Sequence, residues 1–226
     1  MNYTEPYAAS SALISIDVQE DFTRPDAPLL IPGTAERLGQ MQKLLQAFRR
    51  AGRPIVHVVR LYLPDGSNVD LCRREAVERG NRLVAPGTAG AELPAALKPS
   101  ADVRLDATRL LQGKLQLIGA NEWVIYKPRW DAFYDTDLDR HLRGIGVDSV
   151  VVCGCNFPNC PRASIFGASQ HDYRIAAVTD AISGIYEQGM EELRNIGVAL
   201  MTTDQAVDWI ASAALAPVPA DDAYLE

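Results

Sequence analysis

Val150-Val151-Val152-Cys153-Gly154-Cys155-Asn156-Phe157-Pro158-Asn159-Cys160-Pro161 passes from an apolar run into a turn and then into a helix-like stretch over 162–172. Three consecutive valines followed by Cys153 suit a strand buried on both faces. Gly154 and Pro158 interrupt that run. Pro161 stands where a helix would begin, and its missing N–H is harmless there. A second apolar run follows at 175–178, so the local order is strand, helix, strand. That order predicts a parallel sheet with helices on both faces. Cys160 falls at the end of the turn. Unpaired backbone N–H groups and the positive end of a helix dipole favour thiolate over thiol at such a position. A cysteine taken alone is more often a small buried hydrophobe. Its place at a strand-to-helix turn makes Cys160 a candidate nucleophile instead.

Further strand-sized runs lie at 13–16, 55–59, 123–126 and 198–201, and helix-period segments at 35–51, 137–143, 187–195 and 205–215. Gly52, Gly144 with Gly146, and Gly197 follow three of these segments, as C-terminal glycines do. The expectation is an α/β domain over residues 1–210: three layers, α/β/α, around a central, mostly parallel six-stranded sheet of Rossmann-like type. Residues 61–121 show no clear strand. They hold several prolines and glycines, a short charged helix near 73–79 and an amphipathic segment at 107–117. A connection this long in one domain reads as an insertion, a lid, a partner contact or an arm. Residues 211–226 form an Ala/Pro-rich and then acidic tail, expected to be ordered only against a neighbour.

Composition narrows the function. The 226 residues are 47% hydrophobic and 23% charged, as in soluble globular proteins. A formal charge of −7 argues against nucleic acid or an anionic membrane as partner. No apolar run is long enough to span a bilayer. The first ten residues carry Glu5 and no basic cluster, so a secretory signal is not expected. Cys72, Cys153, Cys155 and Cys160 include no zinc-ligand spacing, and the chain reads as a reduced, cytoplasmic protein.

In a parallel sheet, ligands bind beyond the carboxyl ends of the strands. Asp17 follows the first strand, Lys127 the third, and the Gly154-to-Cys160 turn the fourth. An aspartate after a strand is usually a turn former, and a lysine is usually solvated. A carboxylate, an ammonium and a thiol leaving three strand ends together make a nucleophilic set.

Several pieces resemble the isochorismatase-like cysteine hydrolase superfamily, which includes nicotinamidases, N-carbamoylsarcosine amidases and ureidoacrylate amidohydrolases. They are Leu13-Ile14-Ser15-Ile16-Asp17-Val18-Gln19-Glu20-Asp21-Phe22, Pro86-Gly87-Thr88-Ala89-Gly90-Ala91-Glu92-Leu93 and Tyr126-Lys127-Pro128-Arg129-Trp130-Asp131-Ala132-Phe133-Tyr134. Thr136-Asp137-Leu138, the turn before Cys160, and Val178-Thr179-Asp180-Ala181 complete the set. The pieces are collinear over about residues 11–203. The resemblance implies the isochorismatase-like hydrolase fold and a catalytic triad of Asp17, Lys127 and Cys160. It also implies an oxyanion hole from the backbone N–H groups of Asn156 and Cys160, and a cis peptide in this turn, for which Cys155–Asn156 is the first candidate and the bond before Pro158 a second. The implied reaction is hydrolysis of a small amide, carbamoyl or ureido compound through a thioester. Vinyl-ether hydrolysis of the isochorismatase type, and a catalytically degenerate binding or assembly module, stand as alternatives. Retention of Cys160 favours C–N cleavage.

The turn departs from the family pattern Gly-x-x-Thr-x-x-Cys, with Phe157 in place of the threonine. Phe157 could wall an acyl pocket or only pack. Phe22, Trp130, Phe133 and Tyr134 flank the catalytic positions and are candidate pocket residues, though aromatics near strand ends are as often core. Arg129 and Arg162 are candidates for binding a substrate carboxylate by a bidentate contact, though for Arg162 a subunit or loop salt bridge is the stronger reading. Gln19 and Glu20 either support Asp17 or belong to the surface. The metal-binding branch of the superfamily carries an Asp-x-His element with further histidine ligands. This chain has His57, His141 and His171, with His57 inside a strand. No metal and no cofactor are therefore expected. The long arm and the apolar tail suggest a homo-oligomer, a dimer or a tetramer.

Overall fold

Alternation along each strand sends side chains to opposite faces, and in this chain both faces are apolar. The computed structural model describes residues 2–214. In chain order its elements are β1 (Ser11–Ile16), α1 (Glu20–Thr23), α2 (Leu38–Arg50), β2 (Ile55–Val59), α3 (Leu71–Glu78), α4 (Ala107–Leu111), β3 (Gln116–Gly119), β4 (Glu122–Tyr126), α5 (Leu138–Gly144), β5 (Ser149–Gly154), α6 (Cys160–Gln170), β6 (Arg174–Ile182), α7 (Glu187–Asn195), β7 (Ala199–Met201) and α8 (Thr203–Ala214). Ala12, Ile14, Val150 and Val152 feed one core, with residues of α5, α6 and α7. Leu13, Val151 and Cys153 feed the other, with Met41, Leu44, Leu45 and Phe48 of α2 and Ala206 and Ile210 of α8. The α2 spacing of three, one and three residues is that of a helix with one buried stripe.

The sheet order is β3-β4-β2-β1-β5-β6-β7. Every pair is parallel except β3 with β4, which is antiparallel. Among the described residues the sheet therefore has seven strands, one more than the six expected, and the extra strand lies inside the segment read as strandless. β3 is a four-residue edge strand with Leu117 64% exposed, so it carries no buried apolar run. The amphipathic segment at 107–117 is in fact two elements. The α4 helix ends at Leu111 and Gly113 (φ 76°) turns the chain into β3. The four-residue α1 is too short to show a period.

Residues 61–121 are packed. Leu61, Tyr62, Val69, Val77, Leu83, Val84, Ala91, Leu93 and Leu110 form a third apolar cluster with Phe22, Val59 and Val124. That cluster covers the β2 and β4 side of the sheet. Among the described residues no helix is long and apolar enough to cross a membrane. Of the expected tail at 211–226, residues 215–226 lie outside the described residues.

Candidate active site

The central order β4-β2-β1-β5 sets the geometry, because each of these strands ends beside the next. Asp17 leaves β1 in the left-handed region (φ 53°), a conformation that aspartate tolerates better than most residues. Its N–H donates to the Val58 carbonyl at 2.9 Å, and its carbonyl accepts from Cys155 Sγ at 3.0 Å. Held at both ends, it presents its carboxylate to the strand ends. Lys127 leaves β4 two strands away. Its N–H donates to Val59 at 3.1 Å, and its side chain is wholly buried. Lys127 Nζ donates to Asp17 Oδ2 at 2.8 Å and to the Arg129 carbonyl at 3.3 Å. Asp17 Oδ1 is buried and has no hydrogen-bond partner among the described residues.

The turn after β5 brings the thiol to the same place. Gly154 (φ 125°) leaves no room for a side chain, since a Cβ there would collide with the Ile16 backbone. That close approach lets Cys155 N–H donate to the Ile16 carbonyl at 2.9 Å. The Cys155–Asn156 peptide is cis, the first of the two positions left open by the resemblance. Phe157 N–H then donates to Ser183 at 2.7 Å, and Ser183 N–H returns to the Gly154 carbonyl at 3.1 Å, tying the turn to β6. Cys160 begins α6 and is 8% exposed. Neither the Asn156 nor the Cys160 N–H donates to a group among the described residues. Ser164, one turn on, donates to the Cys160 carbonyl at 2.7 Å and accepts from Ala132 N–H at 2.9 Å, linking the helix to the loop after Lys127.

Arg60 is the residue that sequence reasoning missed. It follows β2, between the strands that carry Asp17 and Lys127, so the carboxyl-end rule that selected those two selects it as well. A lone arginine defaults to the surface, yet this one is 2% exposed. Its Nη2 lies 3.8 Å from Cys160 Sγ, and its Nη1 lies 2.9 Å from Asp70 Oδ2. The Gln19 side-chain amide fixes its backbone by two hydrogen bonds: Gln19 Nε2 donates to the Arg60 carbonyl, and Arg60 N–H donates to Gln19 Oε1, both at 2.8 Å. Gln19 thus supports the site, while Glu20 opens α1. Burial opposes the Arg60 charge, but Asp17, Tyr62, Cys160 and Asp70 hold the guanidinium above its ordinary value.

Burial and the negative charge of Asp17 push the Cys160 thiol up, and Lys127 and Arg60 pull it back only in part. This corrects the expectation of a thiolate favoured by the helix start. The helix dipole acts within one turn and is modest, whereas taking an anion out of water beside a carboxylate is costly. Burial thus favours the protonated sulfur, and the same cavity holds a carboxylate, Asp17, with one oxygen unpartnered among the described residues.

The isochorismatase domain model matches residues 11–205. The chain belongs to the isochorismatase family. A solved isochorismatase-family protein from Desulfovibrio vulgaris is 32% identical, with a TM-score of 0.76, covering 89% of this chain and 98% of that one. A probable inactive nicotinamidase from Arabidopsis thaliana is 29% identical over 85% of this chain and 92% of its own length. The maleamate amidohydrolase of Pseudomonas putida is 29% identical over 78% of this chain and 73% of its own. The family and fold that the motifs imply are those of this chain.

This isochorismatase-family site opens into a cavity of about 270 Å³ lined by Asp17, Arg60, Cys160 and, of the expected pocket residues, Phe22 and Trp130. Tyr134 lines a neighbouring apolar groove of about 740 Å³ instead, which shares Trp130, Asp70 and Cys72 with the first. Phe133 and Phe157 are core residues and line neither. Phe133 packs against His171 and Tyr173. Phe157 meets Tyr186 edge-on at 5.3 Å and occupies space that a Cβ on Gly189 would fill. Arg162 pairs with Glu192 of α7. A metal does not fit the donors present. His57 lies 2.8 Å from Glu122, His141 stands edge-on to Trp123, and His171 stacks on Phe133. No histidine lines the cavity, and both its carboxylates are already paired to cations.

Proposed function

We propose that this chain is a cysteine-dependent amidohydrolase that cleaves the C–N bond of a small amide, carbamoyl or ureido compound through a thioester. The observation that supports it most is the Lys127–Asp17 contact at 2.8 Å, which leaves the other Asp17 oxygen unpartnered at the cavity that holds Cys160. Relatedness to a maleamate amidohydrolase over most of both chains agrees with it.

The chemistry follows from that arrangement. A bound carbonyl gives the Cys160 sulfur an electrophile while Asp17 accepts the thiol proton. The oxyanion that forms is met by the free N–H groups of Asn156 and Cys160, and Lys127 and Arg60 offset the added negative charge. The C–N bond then breaks, the proton on Asp17 goes to the leaving nitrogen, and the acyl group stays on sulfur. Asp17 next deprotonates a water, which attacks the thioester, and the sulfur leaves and regains its proton. A raised thiol pKa suits this sequence, since the proton is moved only once a substrate is present.

The test is ammonia release from a panel of primary amides, carbamoyl amines and ureido acids, with the native chain and Cys160→Ala side by side. Turnover by the native chain and its loss in the variant is the expected result. Near-full ammonia release by Cys160→Ala would rule out Cys160 as the nucleophile, whereas no ammonia release from any member of the panel by the native chain would favour vinyl-ether hydrolysis, which needs no thiol. Kinship to a probable inactive nicotinamidase makes labelling a useful second check. Iodoacetamide should modify Cys160 ahead of Cys153 and Cys155, and uniformly slow labelling would favour a silent binding module.

A further inference from the structure

Charge around the cavity does not balance. Asp17 is matched by Lys127. Asp70 is matched by Arg60, and the same Asp70 oxygen also accepts the Tyr62 hydroxyl at 2.7 Å. Arg73 of α3 lines the cavity as well, and among the described residues it makes no ion pair with a carboxylate. Its Nη1 is buried and, among the described residues, makes no hydrogen bond. The guanidinium lies over the Phe22 ring, 5.8 Å from its centroid, and that ring also faces the cavity. A buried guanidinium nitrogen without an acceptor carries a desolvation cost that an anion would remove. Its fork of donors fits a carboxylate in a two-point contact.

We infer that Arg73 receives a carboxylate of the substrate, so that the molecule cut at Cys160 is a small amide acid or ureido acid, not a neutral amide. The cavity of about 270 Å³ holds both ends of such a molecule, with its carbonyl at the thiol and its carboxylate at α3. Of the sequence's two candidates for this task, Arg129 lines the apolar groove and turns its Nη1 to the Pro128 carbonyl at 2.7 Å, and Arg162 is paired with Glu192. The inference rests on the amidohydrolase reading for the bond that is cut, and its test lets the two fail separately.

Iodoacetate and iodoacetamide differ only by a carboxylate in place of an amide, and alkylation of Cys160 by either needs no turnover. Arg73→Gln is expected to slow iodoacetate at Cys160 by about tenfold and iodoacetamide by less than about twofold, with Arg73→Lys restoring most of the loss. In parallel, the native chain should release ammonia from succinamic acid with a kcat/KM at least about tenfold above that from neutral succinamide, and Arg73→Gln should erase this preference through KM. Alkylation rates that stay unchanged in Arg73→Gln, or fall together, overturn the inference, as does turnover without preference for the acid. Absence of any amide turnover alongside a selective loss of iodoacetate reactivity would overturn the amidohydrolase reading and leave the carboxylate site standing.

Discussion

Lys127 and Asp17 are both buried, and each is the other's counter-charge. Removing one partner of such a pair leaves an uncompensated charge and costs about 3–5 kcal/mol, whereas replacing both can be nearly neutral. Asp17→Asn is therefore expected to lower turnover by about a thousandfold and also to lower stability. Cys160→Ser should lose a similar share of activity with little change in the urea midpoint. The double variant Asp17→Asn with Lys127→Met should recover most of the stability and none of the activity. Recovery of turnover in the double variant would show that the carboxylate is not the base. Arg60 acts on the thiol itself. Because its charge lowers the Cys160 pKa, Arg60→Met should raise that pKa further. Labelling of Cys160 by iodoacetamide should then slow at about pH 8, while at high pH the two rates converge.

Elements deliver these residues to one place, and some of that delivery was legible in the sequence. The run 150–161 announced a strand, a turn and a helix because apolar β-branched residues, Gly154 and Pro161 each act locally. The loss of Phe157 from the pocket was not legible, because its partner Gly189 lies in α7, 32 positions away, and offers only an absence of side chain. Gly189→Ala puts a methyl group against the Phe157 ring, and overpacking of this kind costs about 1–3 kcal/mol. Since Phe157 N–H anchors the turn to Ser183, the same substitution should slow Cys160 labelling, while Gly39→Ala in α2, where the space is open, should leave it unchanged. A second tie between elements involves Glu122 at the start of β4. It accepts from Arg49 Nε at 2.8 Å and Arg49 Nη2 at 2.7 Å, and lies 2.8 Å from His57 Nε2. Burial alone would raise this carboxyl, but the hydrogen bonds from Arg49 and His57 hold it below the ordinary value. A depressed carboxyl stabilises the fold above the unfolded value, about 4.3, and that contribution is lost as pH falls through the folded value. Glu122→Ala should cost about 3 kcal/mol at neutral pH by urea unfolding, and it should flatten the acid limb of the stability curve.

Across the whole molecule, what could be read in advance was whatever repeats along the chain: apolar strands buried on both faces, helices with one stripe, and charged residues at strand ends. What escaped was set by contacts made between elements in the folded chain. β3 exists because β4 offers an edge, and Arg60 is buried because Asp70 and Gln19, at sites far apart in sequence, satisfy it. The titration of the thiols is a property of this same kind. Burial raises Cys153 to about 12, and burial together with Asp17 raises Cys155 well above the ordinary thiol value, as it does Cys160 to a smaller extent. In the unfolded chain these thiols titrate near about 8.5. The folded state therefore keeps protons that the unfolded state releases, so stability is whole below about 8.5 and falls as pH rises toward the folded values. Each thiol removes up to about 1.4 kcal/mol per pH unit, and the three together up to about 4. Urea unfolding under reducing conditions at about pH 8, 9 and 10 should show this decline as a midpoint that shifts with little change in slope. Cys153→Ala should lessen the pH slope by about one third, whatever small packing loss it brings at pH 8. A stability that stays level to about pH 10 would mean that water reaches these sulfurs, and with it that the sheet ends around Cys160 open far more readily than their packing indicates.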